Sequence, residues 1–236
     1  MHETHIRQTA LPQIGERGQQ QLQNASVLIC GLGGLGCPCA EYLASMGIGT
    51  IGLCDGDTVQ ESNLNRQILY SRQHIGQSKV DVAAKQLQQQ FPDTRFVVHH
   101  TFLTKDNANE LIRNYTCVAD CLDTWEARLL LNDACVLENI PFIHAAVRGF
   151  CGQVIPVLPN QTACLRCLQI TPPANDPSVL GAAAGAIACL QATQICLVLT
   201  SNKTANGIFM LDTTTLESVL LPMDKNKDCI CSKNQN

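Results

Sequence analysis

Residues 27–40 read VLICGLGGLGCPCA, and this stretch decides the fold. Val27 to Cys30 form an unbroken apolar run, as a strand covered on both faces requires. Gly31, Gly33, Gly34 and Gly36 follow, and small residues from Cys37 onward continue as a helix over about 37–46. In Gly31-x-Gly33-x-x-Gly36, one glycine permits the tight turn and the next lets backbone approach a phosphate. The third lets the helix pack close to the strand. Free N–H groups at the helix start then face an anion.

Strands and helices alternate outward from this turn. Gly47 and Gly49 end the first helix, and 50–54 is a second strand. Over 78–90, Val80, Ala83, Ala84 and Leu87 fall on one helical face. Strands follow at 96–99, 117–121 and 142–146, with a helix near 125–139 between the last two. Such alternation predicts a Rossmann-like, doubly wound α/β fold with a mostly parallel sheet. From about residue 151 the pattern changes to strands joined by short turns: CGQVIPVL, GIFMLD and LESVLLP. These read as antiparallel strands extending the sheet, interrupted by an apolar helix over 180–200. The expected organisation is one domain over 1–236. A nucleotide-binding half occupies about 1–150, and the antiparallel strands and late helix fill the remainder.

Of the 236 residues, 45% are hydrophobic and 15% charged, and the net charge is −4. That balance argues against a broad basic surface for nucleic acid. The 180–200 segment is apolar enough to span a membrane, but Gln191, Thr193 and Gln194 near its middle favour a buried core helix. The first residues, MHETHIRQTALPQIG, hold no apolar signal core, so a cytoplasmic setting is expected. There most of the 14 cysteines would be free thiols.

Residues just past the second strand decide the ligand. Asp55, 19 residues after Gly36, can accept hydrogen bonds from ribose hydroxyls. To this point NAD and ATP fit equally. The next stretch, DGDTVQESNLNRQIL, places Asp55, Asp57, Asn63, Arg66 and Gln67 within thirteen residues, beside the crevice of a doubly wound sheet. Amide donors and a guanidinium suit a triphosphate better than an apolar nicotinamide. Lys79, in GQSK, adds a second cation, and Asp123, in DCLDTWEAR, sits just past the fourth strand. A carboxylate beside phosphates makes sense with Mg²⁺ between them.

The ordered set resembles the ThiF/MoeB/HesA adenylyltransferases, relatives of ubiquitin-activating enzymes. It runs through IGERGQQQLQNASVLICGLGGLG, LCDGDTVQESNLNRQ, GQSK, DCLDTWEARLLLN, CLRC and CLQA. The resemblance implies that Asp55 holds the ribose, and that Asn63, Arg66, Gln67 and Lys79 hold the triphosphate of ATP over Gly33 and Gly34. It assigns Mg²⁺ to Asp123. Arg7, in IRQ, matches an arginine that the family inserts into the partner subunit's site, which implies a homodimer. The implied reaction is adenylation of the C-terminal glycine of a small ubiquitin-like sulfur-carrier protein ending in Gly-Gly. RGFCGQ, at 148–153, is closer to the thiamine branch of the family than to the molybdopterin branch. The alternatives are a peptide or a tRNA base as acceptor or, outside the family, an NAD(P)-dependent oxidoreductase.

Cys164-x-x-Cys167 has the spacing of a structural zinc knuckle. The family supplies a second such pair near the C-terminus. This chain has Cys229-x-Cys231, one residue shorter, so Zn²⁺ requires the backbone to bend; the alternative is a metal-free remnant of reduced thiols. Arg128 and Asn132, one turn apart, are candidates to support the nucleotide site from behind. The stretch 168–188 carries no cysteine, and Pro172, Pro173 and Pro177 make it extended.

Overall fold

The computed structural model describes residues 3–169, 178–201 and 204–233. The prolines at 172, 173 and 177, read as an extended crossover, lie outside the described residues. The chain opens with two helices that the sequence does not announce, α1 (Ile6–Thr9) and the glutamine-rich α2 (Gly15–Asn24). From there the elements take the expected order: β1 (Ser26–Cys30), α3 (Gly36–Ser45), β2 (Thr50–Cys54), α4 (Lys79–Gln90) and β3 (Arg95–His99). A five-residue helix, α5 (Ala108–Ile112), precedes β4 (Cys117–Asp120), α6 (Trp125–Leu137), β5 (Phe142–Arg148) and β6 (Cys151–Val157). The chain ends with α7 (Gly181–Ser201), β7 (Ile208–Asp212), β8 (Ser218–Leu221) and α8 (Ile230–Lys233).

Among the described residues, eight strands join one sheet in the order β3-β2-β1-β4-β5-β6-β7-β8. The pairings among β3, β2, β1, β4 and β5 are parallel; those of β5–β6, β6–β7 and β7–β8 are antiparallel. The doubly wound sheet with its antiparallel extension is therefore present, and the change of character falls between Arg148 and Cys151. Because side chains alternate along a strand, β1 feeds both faces. Val27 and Ile29 enter a core with Leu43, Val80 and Ile187, whereas Leu28 and Cys30 enter one with Ile112, Leu131 and Phe142.

By length and composition α7 could cross a membrane. In this fold Ala183, Ala184, Ile187, Ala188, Gln191, Ala192 and Ile195 are instead buried, with α7 packed on β5, β6 and α3. Gly152 makes that approach possible: a Cβ there would lie 2.3 Å from Ile187 Cγ1. Gln191 is fully buried yet satisfied, donating to the carbonyls of Asp120 (2.9 Å) and Ile143 (2.8 Å). The polar centre of this apolar helix thus bridges two strands.

Candidate functional site

The chain runs outward from β1 through β2 to β3 and then returns to place β4 on the other side of β1, so a crevice opens at the carboxyl ends of the strands. A cavity of about 340 Å³ fills it, within the roughly 300–1,000 Å³ common for small-molecule sites. Gly31, Gly33 and Gly34 line it after β1, Asp55 and Asp57 after β2, Thr101, Phe102 and Leu103 after β3, and Leu122, Asp123 and Thr124 after β4. Arg66, Gln67 and Lys79 close one side, and Ser178, Val179 and Ala184 border another.

The turn after β1 is built on two glycines. Gly31 has φ +93°, and a Cβ there would meet the Cys121 carbonyl oxygen at 2.6 Å. A Cβ on Gly36 would lie 1.9 Å from the Gly31 oxygen, so helix and turn could not close together. The Leu32 peptide between them is pinned at both ends. Its N–H donates to Asp55 Oδ2 at 2.7 Å, and its carbonyl accepts from Tyr70 Oη at 3.0 Å and Cys37 Sγ at 3.4 Å. Burial pushes the Cys37 thiol up to about 12, so it acts as a neutral donor.

Asp55 lines the cavity just past β2, and its carboxylate first serves the fold. Oδ2 takes the Leu32 N–H, and Oδ1 takes the Asp57 N–H at 2.8 Å. Each oxygen retains a lone pair for a hydroxyl donor. Lys79 is buried at the start of α4, with Nζ 2.9 Å from Asp57 Oδ2 and 4.0 Å from Asp55 Oδ2. Arg66 donates to the Ser62 carbonyl and to Asn65 Oδ1, and its stem passes over the glycine turn, 3.3 Å from where a Gly34 Cβ would stand. Gln67 lines the cavity with only 4% of its surface exposed, and its Oε1 is buried without a hydrogen-bond partner. A buried orphan acceptor costs about 1–3 kcal/mol, so the structure fits a ligand or water that supplies a donor there. Asp123 is exposed at the cavity edge and, among the described residues, has no hydrogen-bond or ion-pair partner. A carboxylate placed so fits a cation shared with phosphates.

Two candidate residues lie away from the cavity, and a third, expected in a partner's site, stands outside its own. Asn63 does not line the cavity: its Oδ1 accepts the Gln60 N–H at 3.0 Å, closing a capping box on the 3₁₀ turn Glu61–Asn63. Asn132 turns away from the nucleotide side, its Oδ1 accepting the Leu165 N–H at 2.8 Å, and so supports the cysteine knuckle. Arg7 is exposed on α1, outside the cavity of its own chain. Arg128 does back the site, donating Nε and Nη2 to the Leu122 carbonyl at 3.0 and 2.7 Å.

Cys164, Cys167, Cys229 and Cys231 converge despite the shortened second pair. Their sulfurs all lie within 4.8 Å of one another, with Cys164 Sγ 3.5 Å from Cys229 Sγ and Cys167 Sγ 3.4 Å from Cys231 Sγ. Tetrahedral thiolates at about 2.3 Å from zinc stand roughly 3.8 Å apart, so the cluster could hold the ion. The Asn226 N–H donates to Cys167 Sγ at 3.4 Å. Burial opposes ionisation of Cys167, but this bond and its neighbours outweigh it and hold the thiol below its usual range.

The ThiF family model matches residues 5–232. The MOCS3 adenylyltransferase and sulfurtransferase of Danio rerio is 38% identical over 96% of this chain and 51% of its own length. The Aspergillus niger adenylyltransferase and sulfurtransferase Uba4 is 36% identical over 96% and 52%. The chain thus spans about half the length of these curated relatives. These similarities replace the thiamine-branch expectation drawn from RGFCGQ. Among solved structures, Escherichia coli MccB with ATP superposes with a TM-score of 0.84 at 21% identity, over 92% of this chain and 69% of that one, which matches the fold.

Proposed function

This chain belongs to the ThiF family, and from that premise we propose that it is an adenylyltransferase. It would join AMP to the C-terminal glycine carboxylate of a small ubiquitin-like sulfur carrier ending in Gly-Gly. The names of the curated relatives support the reaction class. The observation that carries the reading is the lining of the cavity. Buried Lys79, Arg66 and the open glycine turn face one space that Asp123 borders, with Gln67 lining it between them. A nicotinamide site has no use for that concentration of phosphate-binding groups.

In this reading a carboxylate oxygen attacks the α-phosphorus of ATP, an oxygen–phosphorus bond forms, and the bond to the pyrophosphate oxygen breaks. The attacking carboxylate is already ionised, so no general base is needed. Catalysis reduces to neutralising charge on the phosphate oxygens, by Arg66, Lys79 and the N–H groups of the glycine turn. Asp123 would hold Mg²⁺, which when bound draws charge from the phosphates. Asp55 would take the ribose, and Asp57 would release Lys79 to the phosphates.

We further propose a homodimer, with Arg7 entering the partner's site; its exposure on α1, outside its own cavity, supports that role. Zn²⁺ on the four cysteines would be structural. A cytoplasmic setting fits fourteen free cysteines. ATP–pyrophosphate exchange tests the reading: label should enter ATP only when a Gly-Gly-ending carrier is added. Absence of exchange with every such protein encoded nearby would sink it.

A further inference from the structure

A polar pair lies behind the cavity, in the core shared by β4, β5 and α6. Asp120 ends β4 and His144 sits in the middle of β5; neither has any exposed surface. Asp120 Oδ2 and His144 Nδ1 are 2.7 Å apart. The carboxylate is an acceptor, so Nδ1 carries the proton and donates. His144 Nε2 is then an acceptor, and the Gln153 amide nitrogen of β6 stands 3.3 Å from it. A neutral imidazole is thereby satisfied on both sides. A buried carboxylate is costly unless all its bonds are made. The second oxygen of Asp120 makes its bond forward, accepting the Leu122 N–H at 3.1 Å.

That bond puts the pair in contact with the site. The Leu122 peptide is gripped at both ends, by Asp120 on its N–H and by Arg128 on its carbonyl. Gln191 of α7 adds a third anchor, on the Asp120 carbonyl at 2.9 Å. The next residue is Asp123. A carboxylate on an exposed turn holds a cation well only if its backbone is fixed, because otherwise each binding event must order the turn.

We propose that Asp120 and His144 are positioning residues for the turn that presents Asp123. His144 fixes the Asp120 carboxylate, Asp120 fixes the Leu122 peptide, and the Asp123 carboxylate is held ready for the metal–phosphate unit. The inference rests on the nucleotide reading only through the role of Asp123.

The test uses the full chain and three variants: Asp120→Ala, Asp120→Asn and His144→Ala. Hydrogen exchange at the Leu122 amide, followed by NMR without nucleotide, reports the turn directly. Calorimetric binding of ATP, with Mg²⁺ and with the metal chelated, reports how much affinity the metal adds. In Asp120→Ala the Leu122 amide should exchange faster, and the metal-linked gain should fall by roughly 10–100-fold, while metal-free affinity changes little. Asp120→Asn keeps an oxygen for Leu122 and an amide for the other His144 tautomer, so it should restore most of both. His144→Ala should loosen the turn in the same direction, and it carries the test if Asp120→Ala does not fold. An unchanged Leu122 amide and an unchanged metal-linked gain in these variants would overturn the proposal, as would an asparagine no better than alanine. If the wild-type chain itself gains nothing from Mg²⁺, the assignment of Asp123 fails; the Leu122 amide then still decides whether the pair holds the turn.

Discussion

Lys79 and Asp57 form an ion pair of 2.9 Å in which the lysine is buried and the aspartate is about half open, its side chain 55% exposed. The asymmetry matters chemically. A buried ammonium needs an anion, and an exposed carboxylate is one that a phosphate can replace with little rearrangement. Lys79→Ala should slow pyrophosphate exchange by roughly 10²–10³-fold, the loss usual for one preorganised stabilising donor. It should also cost about 1–3 kcal/mol of stability, because Asp55 remains buried with one cation fewer. Exchange kinetics and urea unfolding read the two effects separately, and unaltered exchange would leave Lys79 a purely structural residue.

Arg66→Ala should fall in the same 10²–10³-fold range, with the fold intact. Arg7→Ala is expected to be as damaging, although Arg7 lines no part of its own cavity. Mixing Arg7→Ala with Asp123→Ala subunits, each inactive alone, should return partial activity through the one intact composite site per mixed dimer. No recovery despite demonstrated subunit exchange would place Arg7 outside the reaction.

The protein should carry about one zinc ion per chain on Cys164, Cys167, Cys229 and Cys231. Removing it with a strong chelator should lower the melting temperature, and Cys229→Ser should do the same. Elemental analysis of protein never exposed to chelator decides the point; finding no zinc would make the cluster a hydrogen-bonded thiol core.

Stability should fall on mild acidification. Burial holds His144 below its usual value of 6.5, outweighing the pull of Asp120, and Arg128 acts in the same downward sense. The unfolded chain therefore binds a proton more readily than the folded one below pH 6.5. Stability is fully present above that pH and is lost as the pH falls through it toward the folded value. His99, also lowered by burial, adds a slope of the same sign. Melting curves from pH 7.5 to 5 should thus be steeper for wild type than for His144→Gln, and equal slopes would count against a neutral buried His144.

The reaction should stop at the acyl-adenylate. Cys189 is half-buried in α7, where burial raises its thiol. At Cys151, exposed on β6, partial desolvation and the facing Asp212 carboxylate do likewise. Neither is poised as a nucleophile. A non-reducing gel of enzyme, Mg-ATP and carrier should show no thiol-sensitive adduct; an adduct abolished by Cys151→Ser would reverse this.

Most of the scaffold is legible in the sequence because strands covered on both faces must be continuous apolar runs, as Val27 to Cys30 are. The polar side chains lining the cavity are legible because Arg66, Gln67 and Lys79 lie close together along the chain. Asn63 is harder to read because a short polar side chain beside a turn serves equally as a cap, and the Gln60 N–H bond that its Oδ1 accepts is a contact the sequence does not announce. Asp120 and His144 escape notice because 24 residues separate them and no periodicity links strand neighbours across a crossover. The usable signal is a histidine inside the apolar run FIHAA, since a polar residue in a buried strand needs a partner. Helices α1 and α2 are hidden because their sequences carry few apolar residues to set a period.

The cysteine cluster bears on how the molecule is made. Cys164 meets Cys229 across 65 residues, and β7 and β8 must both be laid down between them. During synthesis the first pair emerges well before the second exists, so the knuckle waits, half-built, until Cys229 and Cys231 leave the ribosome. Contacts of such long sequence separation form late and slowly. The cluster is therefore a record that β7 and β8 have been made: a chain stopped before Cys229 holds one cysteine pair with nothing to fasten it to.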